Sequence, residues 1–278
     1  HLHDPFLMPD MDKAVNRLNR AMGAKEKIMV YGDYDVDGTT AVALVYKYLS
    51  NFYSNIDFFI PTRYEEGYGI SSEIIDDFAE QGVKLVIILD CGIKANEEIA
   101  HAREHGIDFI ICDHHVPDEE LPQAVAILNP KIEGSTYPCP HLSGCGVGYK
   151  LMQAFAISNG IQQTELEGML DLVAADIVPM VDENRIMAYY GLKRLNTNPN
   201  MGLRAIIRIC NLTNREITIS DVIFKIGPRI NASGRMQSGR EAVELLISKA
   251  IGDAYERAKA IDQYNRDRKE LDKRITEE

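Results

Sequence analysis

The sequence predicts an α/β protein, built on a parallel sheet with helices on both faces. A helical region and one long C-terminal connecting helix are expected to follow. Three observations carry this reading. Between residue 25 and about residue 128, five apolar runs of strand length alternate with runs of helix length. The strand runs are apolar throughout rather than every second residue, as in a sheet covered on both faces. After Gly144 the strand signal fades and helical patterns take over.

The strand candidates are IMVY (28–31), IDFFI (56–60), KLVIIL (84–89), DFIIC (108–112) and AVAIL (124–128). Between them lie TTAVALVYKYLSNF, SSEIIDDFAEQG and NEEIAHAREHG. Ser71 and Asn96 are placed to cap helices, and Gly82 and Gly106 to stop them. Further helices are expected over 147–158, 165–175, 183–196, 203–210 and 221–226. Thr164 with Glu167 reads as a capping box, and Asp182 and Ser220 as caps. The stretch 253–278 reads as a charged helix with a narrow stripe of Ala254, Ala258, Ile261, Tyr264, Leu271 and Ile275. Nothing in the chain is expected to cover that stripe. The expected organisation is a helical lead-in (1–24), one catalytic domain (25–250) and a connecting helix (251–278).

The 278 residues are 45% hydrophobic and 26% charged, which is globular and not disordered composition. No apolar stretch approaches the roughly 18 residues of a membrane span. Five cysteines without a C-x-x-C pair suggest reduced thiols and a cytoplasmic setting. The opening HLHDPFLMPDM has neither an initiator Met nor a leader pattern, which points to a fragment. A net charge of −12 argues against a generally basic nucleic-acid surface. Bound metal would neutralise several of the acids.

Those acids stand at strand ends. Asp33, Asp35 and Asp37 form DYDVDG after the first strand run, Asp90 closes the third, and Asp113-His114-His115 closes the fourth. Ends of parallel strands share one sheet edge, so residues distant in sequence converge there, as a binuclear metal site requires. An EF-hand is excluded, because the twelfth loop position, where a bidentate Glu is needed, is Leu44. For DYDVDG alone, a solvated turn capping the next helix is an equal reading, and a lone strand-end Asp90 is often only a cap. Recurrence at several strand ends favours chemistry. Asp176, in AADIVPM, ends a helix pattern where an acid opposes the macrodipole.

DYDVDG, PTRYEEGYGIS, DCG, DHH, NPK, LSGCGVGYKL, AADIVP and IGPRINASGRM together resemble the RecJ exonucleases of the DHH phosphoesterase superfamily. DHH marks only the superfamily, whereas GYGIS with GPRINASGR is more specific, and the resemblance spans essentially the whole chain. It implies a two-metal enzyme that degrades single-stranded DNA from the 5′ end to mononucleotides, in repair and recombination. It makes Asp35, Asp37, Asp90, His114 and Asp176 ligands of two Mn²⁺ or Mg²⁺ ions, with Asp37 or Asp90 bridging and His115 close by. Asp37, Asp90 and His115 are the implied catalytic residues. Many relatives in the superfamily carry a His where this chain has Tyr31, so Asp33 is a candidate substitute ligand. The expected partners are single-stranded DNA and downstream domains of the same protein, in a monomer with no membrane contact. Short oligonucleotides or cyclic dinucleotides are the rival substrates. A silent replication scaffold is the rival class, but such proteins lose metal ligands, which this chain retains.

A phosphodiester also needs fixed cations, and arginine's planar fork suits phosphate. Arg63 follows a strand end, and Arg229, Asn231 and Arg235 lie in what reads as a glycine-punctuated loop. The resemblance has these grip the terminal and scissile phosphates. GCGVG (144–148) lacks the third glycine of a dinucleotide fingerprint and reads instead as a helix start that could face phosphate. His101 and His105, at i and i+4, could bind metal, although so polar a helix favours a solvated face.

Overall fold

A computed structural model describes residues 1–62, 69–176, 178–236 and 239–277. Its centre is a five-stranded, wholly parallel sheet: β1 (Lys27–Gly32), β2 (Ile56–Phe59), β3 (Val83–Leu89), β4 (Asp108–Cys112) and β5 (Ala126–Leu128). Their spatial order is β2-β1-β3-β4-β5. The helices are α1 (Met11–Gly23), α2 (Val36–Leu49), α3 (Ser72–Glu80), α4 (Asn96–Glu104), α5 (Gly144–Ser158), α6 (Thr164–Glu167) and α7 (Leu170–Val173). They continue with α8 (Asp182–Thr197), α9 (Met201–Ile209), α10 (Ile219–Asp221), α11 (Gly227–Met236), α12 (Gly239–Leu246) and α13 (Ile251–Glu277).

Strand side chains alternate between two cores. Ile28, Val30, Leu85, Ile87, Leu89, Ile110 and Leu128 face α1, α2, α5 and the helical region beyond. Met29, Tyr31, Val86, Ile88, Phe109 and Ile111 face the thinner layer of α3 and α4. The chain leaves β1 through α2 on one face and returns from β2 through α3 on the other. The strand order therefore reverses between β1 and β3, and the crevice beyond their carboxyl ends is where such sheets take ligands.

The lead-in is pinned to the body by a buried ion pair. Lys150 and Glu183 have fully buried side chains 2.8 Å apart. Lys150 also donates to the His3 carbonyl at 2.6 Å, and Glu183 accepts the His3 N–H at 2.8 Å. Each charge thus has neutral partners as well as its counter-ion, which a buried pair requires.

Several expected caps shift. Ser71 caps α3 as expected, and Gly82 and Gly106 take left-handed φ of 78° and 68° at helix ends. Gln163, not Thr164, precedes α6, and α6 with α7 replaces one expected longer helix. Asn96 is already inside α4, and its side-chain amide serves the Glu120 carbonyl instead. Asp182 is the first residue of α8, where its carboxylate meets His3. Thr218 supersedes Ser220 by forming a capping box with Asp221. GPRINASGRM is a helix, α11, not a loop. It continues without a break from a π turn (Val222–Ile226), and Pro228 follows directly on that turn, where the regular hydrogen-bond ladder is already interrupted. The stripe of α13 is not bare either: Ala254, Ala258 and Ile261 are buried in the main core, and α13 packs on α9, α11 and α12. Only farther along does the apolar face open, with Leu271 half exposed.

Candidate metal centre

Three strand ends bring their acids together at the crevice. After β1 the chain turns through Asp33 and Asp35 into α2. Asp35 is the N-cap, accepting the Gly38 N–H at 2.8 Å. The turn demands glycine, since a Cβ at residue 38 would stand 2.3 Å from the Asp33 carbonyl oxygen. Asp33 is buried, and its Oδ1 has no hydrogen-bond partner among the described residues. Asp37, on the first turn of α2, accepts the N–H groups of Gly144 at 2.6 Å and Cys145 at 2.7 Å. Ser143 takes the Gly146 N–H at 2.9 Å. The α5 N-terminus is therefore an anion cradle, but its anion is Asp37. The expectation that it faces phosphate is corrected.

Asp90 follows β3 with φ of 61°, a left-handed backbone that Asp tolerates better than most residues. It lies hard against α5: a Cβ on Gly144 would be 2.6 Å from the Asp90 Cβ. After β4, Asp113 organises the next turn. It accepts the N–H groups of Ile93 at 3.1 Å, His114 at 2.8 Å and His115 at 3.2 Å, and meets His115 Nδ1 at 2.7 Å. The His115 ring is thus fixed through one nitrogen. Asn129 holds the same turn by donating to the His115 carbonyl at 2.9 Å. His114 Nε2 lies 3.0 Å from Asp90 Oδ1 and 3.4 Å from Asp37 Oδ2. Two overlapping ligand sets result, Asp33–Asp35–Asp90 and Asp90–His114–His115, each with one donor atom per residue within 4.8 Å of the others. Asp90 is common to both.

The electrostatics are those of an acidic crevice short of cations. Among the described residues, no lysine or arginine pairs with Asp33, Asp35, Asp37 or Asp90. Burial, then the nearby Asp35 charge, pushes the Asp33 carboxyl up to about 7. Burial also raises Asp37, and it raises Asp90 well above the usual carboxylate range, helped by Asp37 and by a hydrogen bond with Asp35. His114 is lowered by burial, whereas the Asp113 hydrogen bond raises His115. Burial opposes ionisation of Asp113 too, but its bonds to His115 and Ile93 together outweigh that and hold it low. Cys91, Cys112 and Cys145 are thiols pushed far up by burial, and neither ligand set includes a cysteine. Tyr31 is buried on the α3 side of the sheet and donates to the Gly69 carbonyl.

Asp176 is half-buried and lines a cavity of about 550 Å³ together with Asp35, Tyr34, Pro228, Asn231 and Arg268. Of the expected phosphate residues, Asn231 reaches this cavity. Arg229 is engaged elsewhere, donating to Asp262 on α13 at 2.8 Å and to the Lys225 carbonyl at 2.8 Å. Arg63 lies outside the described residues, as does the side chain of Arg235. Three residues assigned no ligand or phosphate role from sequence belong to this picture: Asp113, Asn129 and Arg268. The first two stand within the DHH and NPK motifs. The signal for Arg268 was its position, a charge continuing the inward stripe of Ile261 and Asn265. Its Nε is buried with no hydrogen-bond partner among the described residues.

A crevice of convergent strand-end acids and paired histidines is the arrangement of a candidate metal centre, and the chain belongs to the DHH family. Residues 27–177 match that family's N-terminal domain. Within the family its likeness is to RecJ. It is 41% identical over 280 residues to the single-stranded-DNA-specific exonuclease RecJ of Bacillus subtilis, covering 99% of this chain and 35% of that protein. To RecJ of Escherichia coli it is 36% identical over 277 residues, covering 94% and 48%. The chain thus spans half or less of the length of these relatives. A crystal structure of exonuclease RecJ bound to manganese superposes with a TM-score of 0.88 at 28% identity, covering 96% of this chain and 68% of that one. RecJ of Thermus thermophilus in complex with Mn²⁺ gives 0.84 at 26% identity, covering 96% and 39%.

Proposed function

We propose that this chain is the metal-binding lobe of an exonuclease that hydrolyses single-stranded DNA from the 5′ end to mononucleotides, in DNA repair and recombination. The observation that carries the reading is the convergence of Asp33, Asp35, Asp37, Asp90 and His114 on one crevice, where no lysine or arginine among the described residues pairs with the four aspartates. The donor set suits hard divalent ions. It is carboxylate-rich with imidazole, it offers no thiolate, and Asp33 Oδ1 is a buried acceptor in need of a cation. Asp33, Asp35, Asp37, Asp90, His114 and Asp176 would hold two Mn²⁺ or Mg²⁺ ions. When bound, such ions supply a nucleophilic water acidified to near neutrality and neutralise charge on the phosphate. The likeness to manganese-bound RecJ supports the choice of ion.

The chain's own residues set the geometry. Gly144 and Cys145 fix the Asp37 carboxylate, leaving it one orientation. Asp113 holds His115 by Nδ1 and so fixes the orientation of the ring beside His114 and Asp90. Asn231 and Arg268, on the cavity wall beside Asp35 and Asp176, would orient the strand, with Arg63 and Arg235 completing the grip. The organisation that fits is a lead-in over 1–24, the phosphoesterase domain over 25–250, and α13 leading toward a second lobe that closes the cleft. No helix is long and apolar enough to cross a membrane among the described residues.

The test is digestion of 5′- and 3′-labelled single strands with Mn²⁺, using the protein joined to its downstream domains. Mononucleotide release from the 5′ label first is expected. Release from the 3′ label first, or cleavage of dinucleotides alone, sinks the proposal. The lobe by itself, at −12, should hold a 30-mer weakly at physiological salt, because it neutralises few phosphates. Nanomolar affinity would remove the need for a second lobe.

A further inference from the structure

We propose that Asp76, His101 and His105 form a second cation site, separate from the crevice and suited to a single zinc-type dication. On sequence alone the two histidines read as a solvated face of a polar helix. The structure adds the ligand that reading lacked. His101 and His105, one turn apart, project from the same side of α4, with ring centroids 4.7 Å apart. Asp76 reaches across from α3, its Oδ1 lying 2.7 Å from His101 Nε2 and 3.4 Å from His105 Nε2. One donor atom from each of the three residues falls within 4.8 Å of the others. A tetrahedral zinc with bonds of about 2.0–2.1 Å needs its ligands about 3.3 Å apart, so shifts of about an ångström or less make the set.

The chemistry differs from that of the crevice. Two imidazoles to one carboxylate favour zinc, nickel or copper over manganese or magnesium. The site also sits in the last turn of α4, with His105 as C-cap, where the helix dipole favours positive charge. All three side chains are partly exposed, at 31%, 40% and 54%, so an ion has access and open positions remain for water. Because α4 ends just before β4 begins, the site lies by the sheet edge opposite the crevice. Its occupant would tie α3 to α4 across the thinner core, the layer that carries the Ser71 cap.

Chelator-treated protein is titrated with Zn²⁺ by calorimetry in the presence of saturating Mn²⁺. The measurement is repeated on His101→Ala/His105→Ala and on Asp76→Asn, which keeps the volume of the acid and one acceptor oxygen but not its charge. Zinc taken by the crevice persists in all three proteins, so the difference isolates this site. The wild type should bind one more zinc ion than the double variant, at micromolar affinity. Asp76→Asn should bind that ion at least tenfold more weakly, with Mn²⁺ binding unchanged throughout. At a hundredfold excess over Kd, zinc should raise the wild-type Tm about 5 °C more than that of the double variant. Equal zinc stoichiometry and equal thermal shifts in all three proteins overturn the proposal.

Discussion

The crevice and the α11–α13 wall beside it are built on opposite electrostatic plans. At the crevice, four buried or half-buried aspartates face one another with two histidines and no basic side chain among the described residues. On the wall, Arg229 is already matched to Asp262, which also holds Arg266 at 2.6 Å. Charge on the wall is settled within the fold. Charge in the crevice is not, and the protein holds it at a cost in stability. Arg268 is the wall's exception: it reaches the cavity and, among the described residues, meets a carboxylate only at a distant 3.7 Å, that of Asp272. The contrast separates residues that hold the fold from residues that wait for a ligand.

The largest effect should come from Asp90, which belongs to both ligand sets. Asp90→Asn should lower DNA hydrolysis by at least about 10³-fold, or ~4 kcal/mol of transition-state stabilisation. The chelated protein should meanwhile melt no lower than the wild type, because Asn accepts the left-handed backbone and brings no ionisable group beside Asp35 and Asp37. Label release and thermal melting read the two arms. Retained activity would break the comparison at its centre. Asp113→Ala comes next. It frees the DHH turn and the His115 ring, and should weaken Mn²⁺ binding about 10–100-fold, as losses of ligand-orienting partners do. Calorimetric titration with Mn²⁺ checks it.

The wall supplies the sharper test. Arg268→Ala should raise KM for single strands about tenfold with Mn²⁺ affinity and Tm nearly unchanged. Arg229→Ala should do the reverse, costing about 2 kcal/mol of stability for its charge-assisted bonds and leaving KM close to wild type. If the two variants exchange phenotypes, the division between settled and waiting charge is wrong.

The smallest effect is on pH. Asp33, at about 7 in the fold against 3.8 for its ordinary value, binds its proton more tightly folded than unfolded. Its favourable contribution is complete below pH 3.8 and is lost as pH rises through 7. Asp37 and Asp90 shift in the same direction. The Tm of chelated protein should therefore fall between pH 5 and 8, and saturating Mn²⁺ should flatten that slope by favouring the ionised carboxylates. A chelated Tm that rises over this window would contradict the crevice electrostatics.

The sheet and its acids were legible because they follow from period and position. Apolar runs such as KLVIIL give buried strands, and Asp90 or Asp113 directly after a run lands on the shared edge. Cap identities were less legible, since Thr164, Asn96 and Ser220 each had a competitor within two residues that only tertiary packing selects. GPRINASGRM misled because glycine and proline are loop residues by propensity. Here the preceding π turn and the burial of Ile230 and Ala232 hold them in a helix. The ion pair of Arg229 was hidden for a similar reason. Its partner, Asp262, is 33 residues away, and pattern alone does not pair them.

The left-handed backbone at Asp90 has a consequence for reading descendants of this chain. Two independent requirements meet at the position: a carboxylate for the proposed metal centre, and a residue that accepts φ of 61° beside Gly144. A lineage that abandons the reaction is released from the first but not from the second, so it should drift toward asparagine or glycine rather than at random. The residue at this one site then works as a marker of history. Aspartate signals that the chemistry is still under selection, and asparagine or glycine signals a chain that keeps the shape for another use.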